Sequence, residues 1–97
     1  MYLVCYDIQE DKLRTRLAKK LKLSGLERLQ FSVFIGELSE AKHARLLVLL
    51  QDIIAKSKVP EDSIAVFPLH EDALQATCTF GRPLDYFLFP PNTLFFK

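Results

Sequence analysis

The residues of this chain whose types and spacing could do chemistry lie near its N-terminus. A carboxylate, Asp7, follows the apolar run of residues 2–6, and three arginines come after it at Arg14, Arg16 and Arg28. Magnesium is commonly held by one or two protein carboxylates, with waters and phosphate oxygens completing its octahedron. Arginine binds phosphates through charge-assisted hydrogen bonds. The pattern predicts a Mg²⁺-assisted phosphodiester site, provided that two chains bring their Asp7 side chains together across a dimer axis.

A plainer interpretation of Asp7 stays open at this point. Aspartates at strand ends often hydrogen-bond the following turn or the start of a helix. Other familiar sites are not indicated by the sequence. The three glycines, at positions 25, 36 and 81, are too scattered for a phosphate loop. His43 and His70 lack the spacing of a zinc site.

The composition indicates a small domain with a partner subunit. A chain of 97 residues buries only roughly 65% of its unfolded surface, so stability must come from an apolar core or a neighbour. Hydrophobic residues make up 49% of the chain, and the aromatic ones are concentrated at its end. The last twelve positions hold Tyr86, Phe87, Phe89, Phe95 and Phe96. We expect this tail to pack on a second copy, which predicts a homodimer.

Charge and targeting signals narrow the class of protein. The net charge is +1, but residues 9–28 carry seven basic against three acidic side chains, whereas residues 61–97 carry two against five. The basic stretch favours a phosphate-rich partner, RNA or DNA. No basic leader precedes the first apolar run, and no stretch reaches the roughly 20 apolar residues of a membrane span. We therefore expect a cytoplasmic protein without a membrane contact.

The first part of the chain predicts a strand and an amphipathic helix. The unbroken apolar run of residues 2–6 is typical of a central strand. Ser24 and Gly25 supply the end of the helix that follows. The apolar positions on one face of this helix are Leu13, Leu17, Ala18 and Leu21.

Residues 28–36 alternate in a way that predicts a single second strand. Phe31 and Val33 then point to the core together with Leu29 and Ile35. In the same register Phe34 lies on the polar face.

The rest of the chain predicts a second helix and two strands. Ser39 is placed to cap the helix, and its apolar stripe continues to Ile54. Residues 63–69 and residues 76–80 predict the third and fourth strands. The expected fold is α+β, a ferredoxin-like plait in which an antiparallel sheet carries two helices on one face. Residues 1–80 form that domain, and residues 81–97 form a dimerisation segment whose strand is exchanged with a second subunit.

Several motifs, taken in order, resemble one known family. They are YDI at residues 6–8, LRTRLAKKLK at 13–22, GLERLQFSVFIGEL at 25–38 and DSIAVFPL at 62–69. Over residues 2 to about 70 the chain is similar to the small CRISPR-associated family called Cas two. The resemblance implies a ferredoxin-like homodimer that acts in spacer acquisition beside a larger integrase subunit. It also implies a magnesium-dependent endonuclease of RNA or DNA.

The resemblance assigns roles to individual residues. Asp7 matches the family's metal-binding and catalytic aspartate, and Tyr6 matches the tyrosine before it. The basic, nucleic-acid-binding positions match Arg14, Arg16 and Arg28. Ser32 and Phe34 match supporting positions; a hydrogen bond at an interface is favoured for Ser32, and a dimer contact is favoured over base stacking for Phe34.

Two classes of function remain open on the sequence. In one, the protein is a Mg²⁺-dependent endonuclease with Asp7 as ligand. In the other, it is a non-catalytic dimeric scaffold that bridges integrase subunits and binds duplex DNA by its phosphates. Only the first needs the Asp7 carboxylate. The sequence also leaves the choice between RNA and DNA open.

Overall fold

The structure is a computed structural model, and it describes residues 1–81. Seven elements follow one another in the order βαββαβ plus a short last helix. They are β1 (Tyr2–Asp7), α1 (Asp11–Leu23), β2 (Glu27–Gln30), β3 (Val33–Gly36), α2 (Glu40–Ala55), β4 (Ser63–Pro68) and α3 (Glu71–Ala76).

The four strands form one antiparallel sheet in the order β2-β3-β1-β4. The strand β1 is central, as its unbroken apolar run predicts. Its Val4 lies opposite Phe34 of β3 and Val66 of β4. Because β2 and β4 are the edges, only their inner sides are paired within the described residues. The predicted α+β plait is confirmed.

The core lies on one face of this sheet, under α1 and α2. The sheet contributes the buried side chains of Val4, Tyr6 and Phe34. The helices contribute Leu13, Leu17, Ala18 and Leu21 from α1, and Leu46, Leu50 and Ile53 from α2. Side chains alternate along a strand, so the next residues of each strand point to the opposite face. This outer face includes Leu3, Cys5, Asp7, Glu27, Val33, Ile35, Ser63, Ala65 and Phe67.

The helix ends follow the predicted signals. The Ser39 hydroxyl accepts a hydrogen bond of 3.2 Å from the backbone N–H of Lys42, and so satisfies one of the free donors at the start of α2. Gly25 has φ +97°, a left-handed conformation that glycine adopts without steric cost, just beyond the end of α1.

The prediction of one strand over residues 28–36 is wrong. The segment is a hairpin, with β2 and β3 joined by a turn at Phe31 and Ser32, and Ser32 has φ 64°. Phe34 is fully buried in the core, whereas 88% of Phe31 is exposed. Val33 and Ile35 share a face, as the alternation predicts, but the helices cover the face of Phe34. The alternation is interrupted in β2, where the pairing shifts so that Arg28 lies opposite Phe34 and Gln30 lies opposite Val33. A period of two does not say which face another layer will cover.

The predicted strand at residues 76–80 is also wrong. The chain forms α3 up to Ala76 instead, and residues 77–81 have no regular structure. Glu71 and Asp72 lie in the first turn of this helix, where negative charge interacts favourably with the helix dipole. Good helix formers follow them, and these local preferences outweigh the strand formers just beyond.

The proposed exchanged segment, residues 81–97, lies almost wholly outside the described residues, so the exchange stays a prediction. Within residues 1–81, no helix is long and apolar enough to cross a membrane.

Candidate nucleic-acid interface and metal ligand

Several predicted site residues meet at one end of the sheet. The end of β1, the turn between β2 and β3 and the start of β4 all lie there, because neighbouring strands are antiparallel. The backbone N–H of Tyr6 donates to the Ser32 carbonyl over 3.0 Å. Asp7 lies opposite Ser63 on β4. The structure thus brings Tyr6, Asp7 and Ser32 together.

The side chain of Asp7 is not used to hold the local backbone. It is exposed and makes no hydrogen bond or ion pair with any residue of the described range. Asp62, which directly precedes β4 at the same end of the sheet, holds the local backbone instead. One Asp62 oxygen accepts from the backbone N–H of Gln9 at 3.0 Å, and the other accepts from the Ser57 hydroxyl at 2.5 Å. The plainer interpretation of Asp7 as a turn residue is therefore not supported.

One chain by itself offers few side chains that could coordinate a metal ion at this site. No three His, Cys, Asp or Glu side chains among residues 1–81 are grouped so that they could hold a metal ion. The Asp7 carboxylate lies at this end of β1, and no other residue of the described range engages it. Such a site fits Mg²⁺ only when further oxygens come from a second subunit or from substrate phosphates.

A cleft lies on the helix side of the sheet, between α1 and the edge strand β2. Its volume is about 380 Å³. Among residues 1–81, four cationic side chains and no acidic one line it; the cations are Arg14, Lys19, Lys22 and Arg28. Tyr6, Phe31 and Ser32 complete the end near the turn. This basic cleft therefore contains four of the seven predicted site residues.

Arg28 is held by two aromatic rings. Its guanidinium carbon lies 5.1 Å from the centre of the Phe34 ring and 5.8 Å from that of Phe31, within the range of cation–π attraction. The ring of Tyr6 lies 6.3 Å from that of Phe34 beneath it. Phe34 thus supports the floor of the basic cleft, and the expectation that it faces outward to a dimer partner is wrong for this position.

Arg14 and Arg16 differ in their surroundings. One Nη of Arg14 donates to the carbonyl of Ile8 at 3.0 Å and more weakly to that of Gln9 at 3.4 Å, and the other pairs with Asp11. Arg14 therefore fastens the loop between β1 and α1 as well as lining the cleft. Arg16 is two positions away, about 200° around the helix, and it does not line the cleft. It is exposed, with no ion pair within the described range.

The arginines and Asp7 do not converge within one chain. Tyr6 points to the helix side and lines the cleft, so Asp7 points to the outer face. A single strand of nucleic acid must pass around the end of the sheet to contact both.

Sequence reasoning missed Lys19, Lys22, Phe31 and Asp62. Lys19 and Lys22 are three positions apart, and this spacing places them on one flank of α1. Only the position of β2 decides that this flank borders a cleft. Asp62 could have been noticed as an acidic residue directly before a strand.

Comparison with known proteins gives a consistent picture. The model of the family described as "CRISPR associated protein Cas2" matches residues 1–77. A protein of Korarchaeum cryptofilum named "CRISPR-associated endoribonuclease Cas2" is 37% identical over 81 residues. The match covers 82% of this chain and 83% of that relative.

Two solved structures have a similar fold. The Cas2 of Streptococcus pyogenes, in a crystal structure at pH 6.5, is 26% identical and matches with a TM-score of 0.66, covering 82% of this chain and 98% of that one. A chain of a "Partial Cas6-RT-Cas1--Cas2 complex" is 30% identical and matches with a TM-score of 0.67. The coverage there is 80% of this chain and 87% of that chain.

Proposed function

The chain belongs to the Cas2 family of CRISPR-associated proteins, and on that premise we propose that it is an endonuclease of RNA or DNA that works in spacer acquisition. The curated relative of Korarchaeum cryptofilum is named an endoribonuclease. The observation that carries the proposal to this chain is Asp7, an exposed carboxylate at the end of the central strand that no described residue engages. A rigid strand end is suited to holding a ligand in fixed geometry.

We propose that the working form is a homodimer joined through the outer face. Leu3, Val33 and Phe67 give this face an apolar surface, and 48% of Phe67 is exposed. Asp7 lies on the same face as Leu3 and Cys5, four and two positions before it. Packing two such faces around a two-fold axis would place both Asp7 carboxylates near the interface, because a two-fold contact uses the same patch on each copy.

Mg²⁺ is the proposed cofactor, held by the two Asp7 carboxylates. When bound, it polarises the phosphodiester and makes its bound water more acidic. The chain's own contribution is to bind and orient the substrate. Arg28, with Lys19 and Lys22, holds phosphates by charge-assisted hydrogen bonds, and Arg16 adds charge on the other flank of α1. A strand fixed in the basic cleft reaches the outer face at the end of the sheet.

A larger integrase subunit is the proposed protein partner. Support comes from the similar chain in the solved complex, whose description includes Cas1 together with Cas2. The basic residues and the dimer would serve this assembly whether or not Asp7 cuts nucleic acid. This gives the second candidate function, a scaffold that binds duplex DNA. It is favoured by the fact that each chain supplies one proposed metal ligand, Asp7.

One substitution separates the two functions. Asp7→Asn keeps the shape of the side chain and removes its charge, so it should abolish Mg²⁺-dependent cleavage of single- and double-stranded RNA and DNA. Asp72→Asn, at an exposed position of α3, is the matched control and should cleave like the wild type. Dimer mass and duplex binding should be unchanged in both.

Cleavage by Asp7→Asn at the wild-type rate would remove Asp7 from the mechanism. A wild-type protein that cuts no substrate with any divalent metal would overturn the endonuclease and leave the scaffold.

A further inference from the structure

We propose that the basic cleft between α1 and β2 binds one unpaired nucleotide, with its base stacked on Phe31 and its phosphates held by Lys19, Lys22 and Arg28. The inference deepens the proposed nucleic-acid function and rests on it. It adds a base contact and selectivity for single strands, which binding through phosphates alone does not provide.

Phe31 has the properties of a stacking platform. It lies in the tight turn between β2 and β3, with 88% of its surface exposed, at the edge of the basic cleft. The Arg28 guanidinium lies 5.8 Å from the centre of the ring, within the range of cation–π attraction. Bases stack on such rings regardless of their identity, since every base has a π-face.

The cations beside Phe31 are free to bind phosphate. Lys19 and Lys22 form no ion pair within residues 1–81, unlike Arg14, whose charge is partly neutralised by Asp11. They project from neighbouring turns of α1 into the same cleft that Arg28 enters from β2. Three cations thus surround a space of about 380 Å³, which lies in the usual range for small-ligand sites, roughly 300–1,000 Å³.

The geometry favours a single strand over a duplex. A base in a duplex is paired and stacked, so its π-face cannot reach a protein ring, whereas an unpaired base can turn outward. A duplex would contact the rim cations through its phosphates only. Phe31 should therefore contribute to binding of single strands and not to binding of duplexes.

The test measures binding without cleavage, in EDTA and at fixed salt. The probes are a fluorescein-labelled eight-nucleotide RNA, the same sequence as DNA, and a labelled 20-base-pair DNA duplex. Phe31→Ala should weaken binding of the single strands by roughly 5- to 100-fold and leave duplex affinity unchanged. Phe31→Tyr should restore the affinity for the single strands. Phe80→Ala is the matched control, because Phe80 is a second phenylalanine that is 93% exposed and lies outside the cleft.

The proposed phosphate contacts are tested separately, by the salt dependence of binding. In the double variant Lys19→Ala/Lys22→Ala, the slope of log affinity against log salt for the single strands should fall by about 1.4, or roughly 0.7 for each lost contact. The control is Lys42→Ala/Lys58→Ala, which removes the same charge at exposed positions away from the cleft.

Four results would overturn the proposal. Phe31→Ala could bind single strands with the affinity of the wild type. It could also lose affinity for single strands and for the duplex by the same factor. It could also change the mass of the protein in light scattering, which would make Phe31 a protein contact. This assay measures binding and not cleavage. Its outcome can therefore be interpreted even if the Asp7→Asn nuclease test contradicts the proposed endonuclease. A wild type that binds duplex but not single strands overturns the cleft site and leaves the scaffold function standing.

Discussion

Tyr6 and Asp7 are neighbours in the chain and lie on opposite faces of the sheet. Only 6% of the Tyr6 surface is exposed, and its ring lies in the core and in the wall of the basic cleft. Asp7 is exposed at the end of the outer face, beyond Leu3 and Cys5. The two faces therefore differ in chemistry. The helix side presents the cations that the proposed function assigns to a phosphate backbone, and the outer face presents apolar side chains with Asp7 at its end.

The proposed dimer can be tested at Phe67. Phe67→Glu places a charge on the outer face, where it would have to be desolvated at the interface, so the variant should be monomeric. Size-exclusion chromatography with light scattering measures the mass directly. Val48→Glu, at a more exposed position on α2, should leave the mass unchanged. A Phe67→Glu protein with the mass of the wild type would show that copies do not meet through this face.

Substitutions of Arg14 and Arg16 should have different effects, the first on stability and the second on duplex binding. Arg14→Ala removes the hydrogen bonds to the loop after β1, so the free energy of unfolding should fall by about 1 kcal/mol. Arg16→Ala should change it by less than about 0.5 kcal/mol. In turn, Arg16→Ala should lower the salt slope of duplex binding by roughly 0.9 if this side chain contacts a phosphate. Urea denaturation and a salt titration make the two measurements; equal stability losses would contradict the different roles.

Ser32 should show the cost of its backbone conformation. Its φ of 64° is in the left-handed region, which Asn tolerates and β-branched residues avoid. Ser32→Val should lower the free energy of unfolding by about 1 kcal/mol, the size of a typical destabilising substitution, measured by urea denaturation at a single protein concentration. Ser32→Asn is the control and should be close to wild type. If both variants have the same stability, this turn does not depend on the left-handed conformation.

The parts of the fold with a strong local signal could be predicted. The four apolar positions of α1 are all buried, and the Ser39 cap and the end of α1 at Gly25 are where the sequence places them. The position of Asp7 at the end of a central strand was equally predictable. These features depend on periodicity, capping and turn chemistry, which are properties of a few neighbouring residues.

The hairpin at residues 27–36 shows why other features could not be predicted. Its turn has no glycine, proline or asparagine at Phe31 and Ser32, so no local signal interrupts the alternation. Phe34 and Ile35 are both apolar and both buried, on opposite faces. The sequence does not show which of these two residues the helices cover. The single-strand prediction therefore put Phe31 in the core and Phe34 on the polar face.

The sequence by itself determined the α+β class, the basic flank of α1 and a carboxylate at the end of β1, because each depends on adjacent or periodic residues. Only the tertiary structure decided that Lys19 and Lys22 face Arg28 across a cleft, and that Phe31 is exposed at its edge. It also decided that Asp62, and not Asp7, holds the loop after β1. Those relationships join residues from different elements, some more than fifty positions apart, and they exist only once the hydrophobic core has fixed how the helices lie on the sheet.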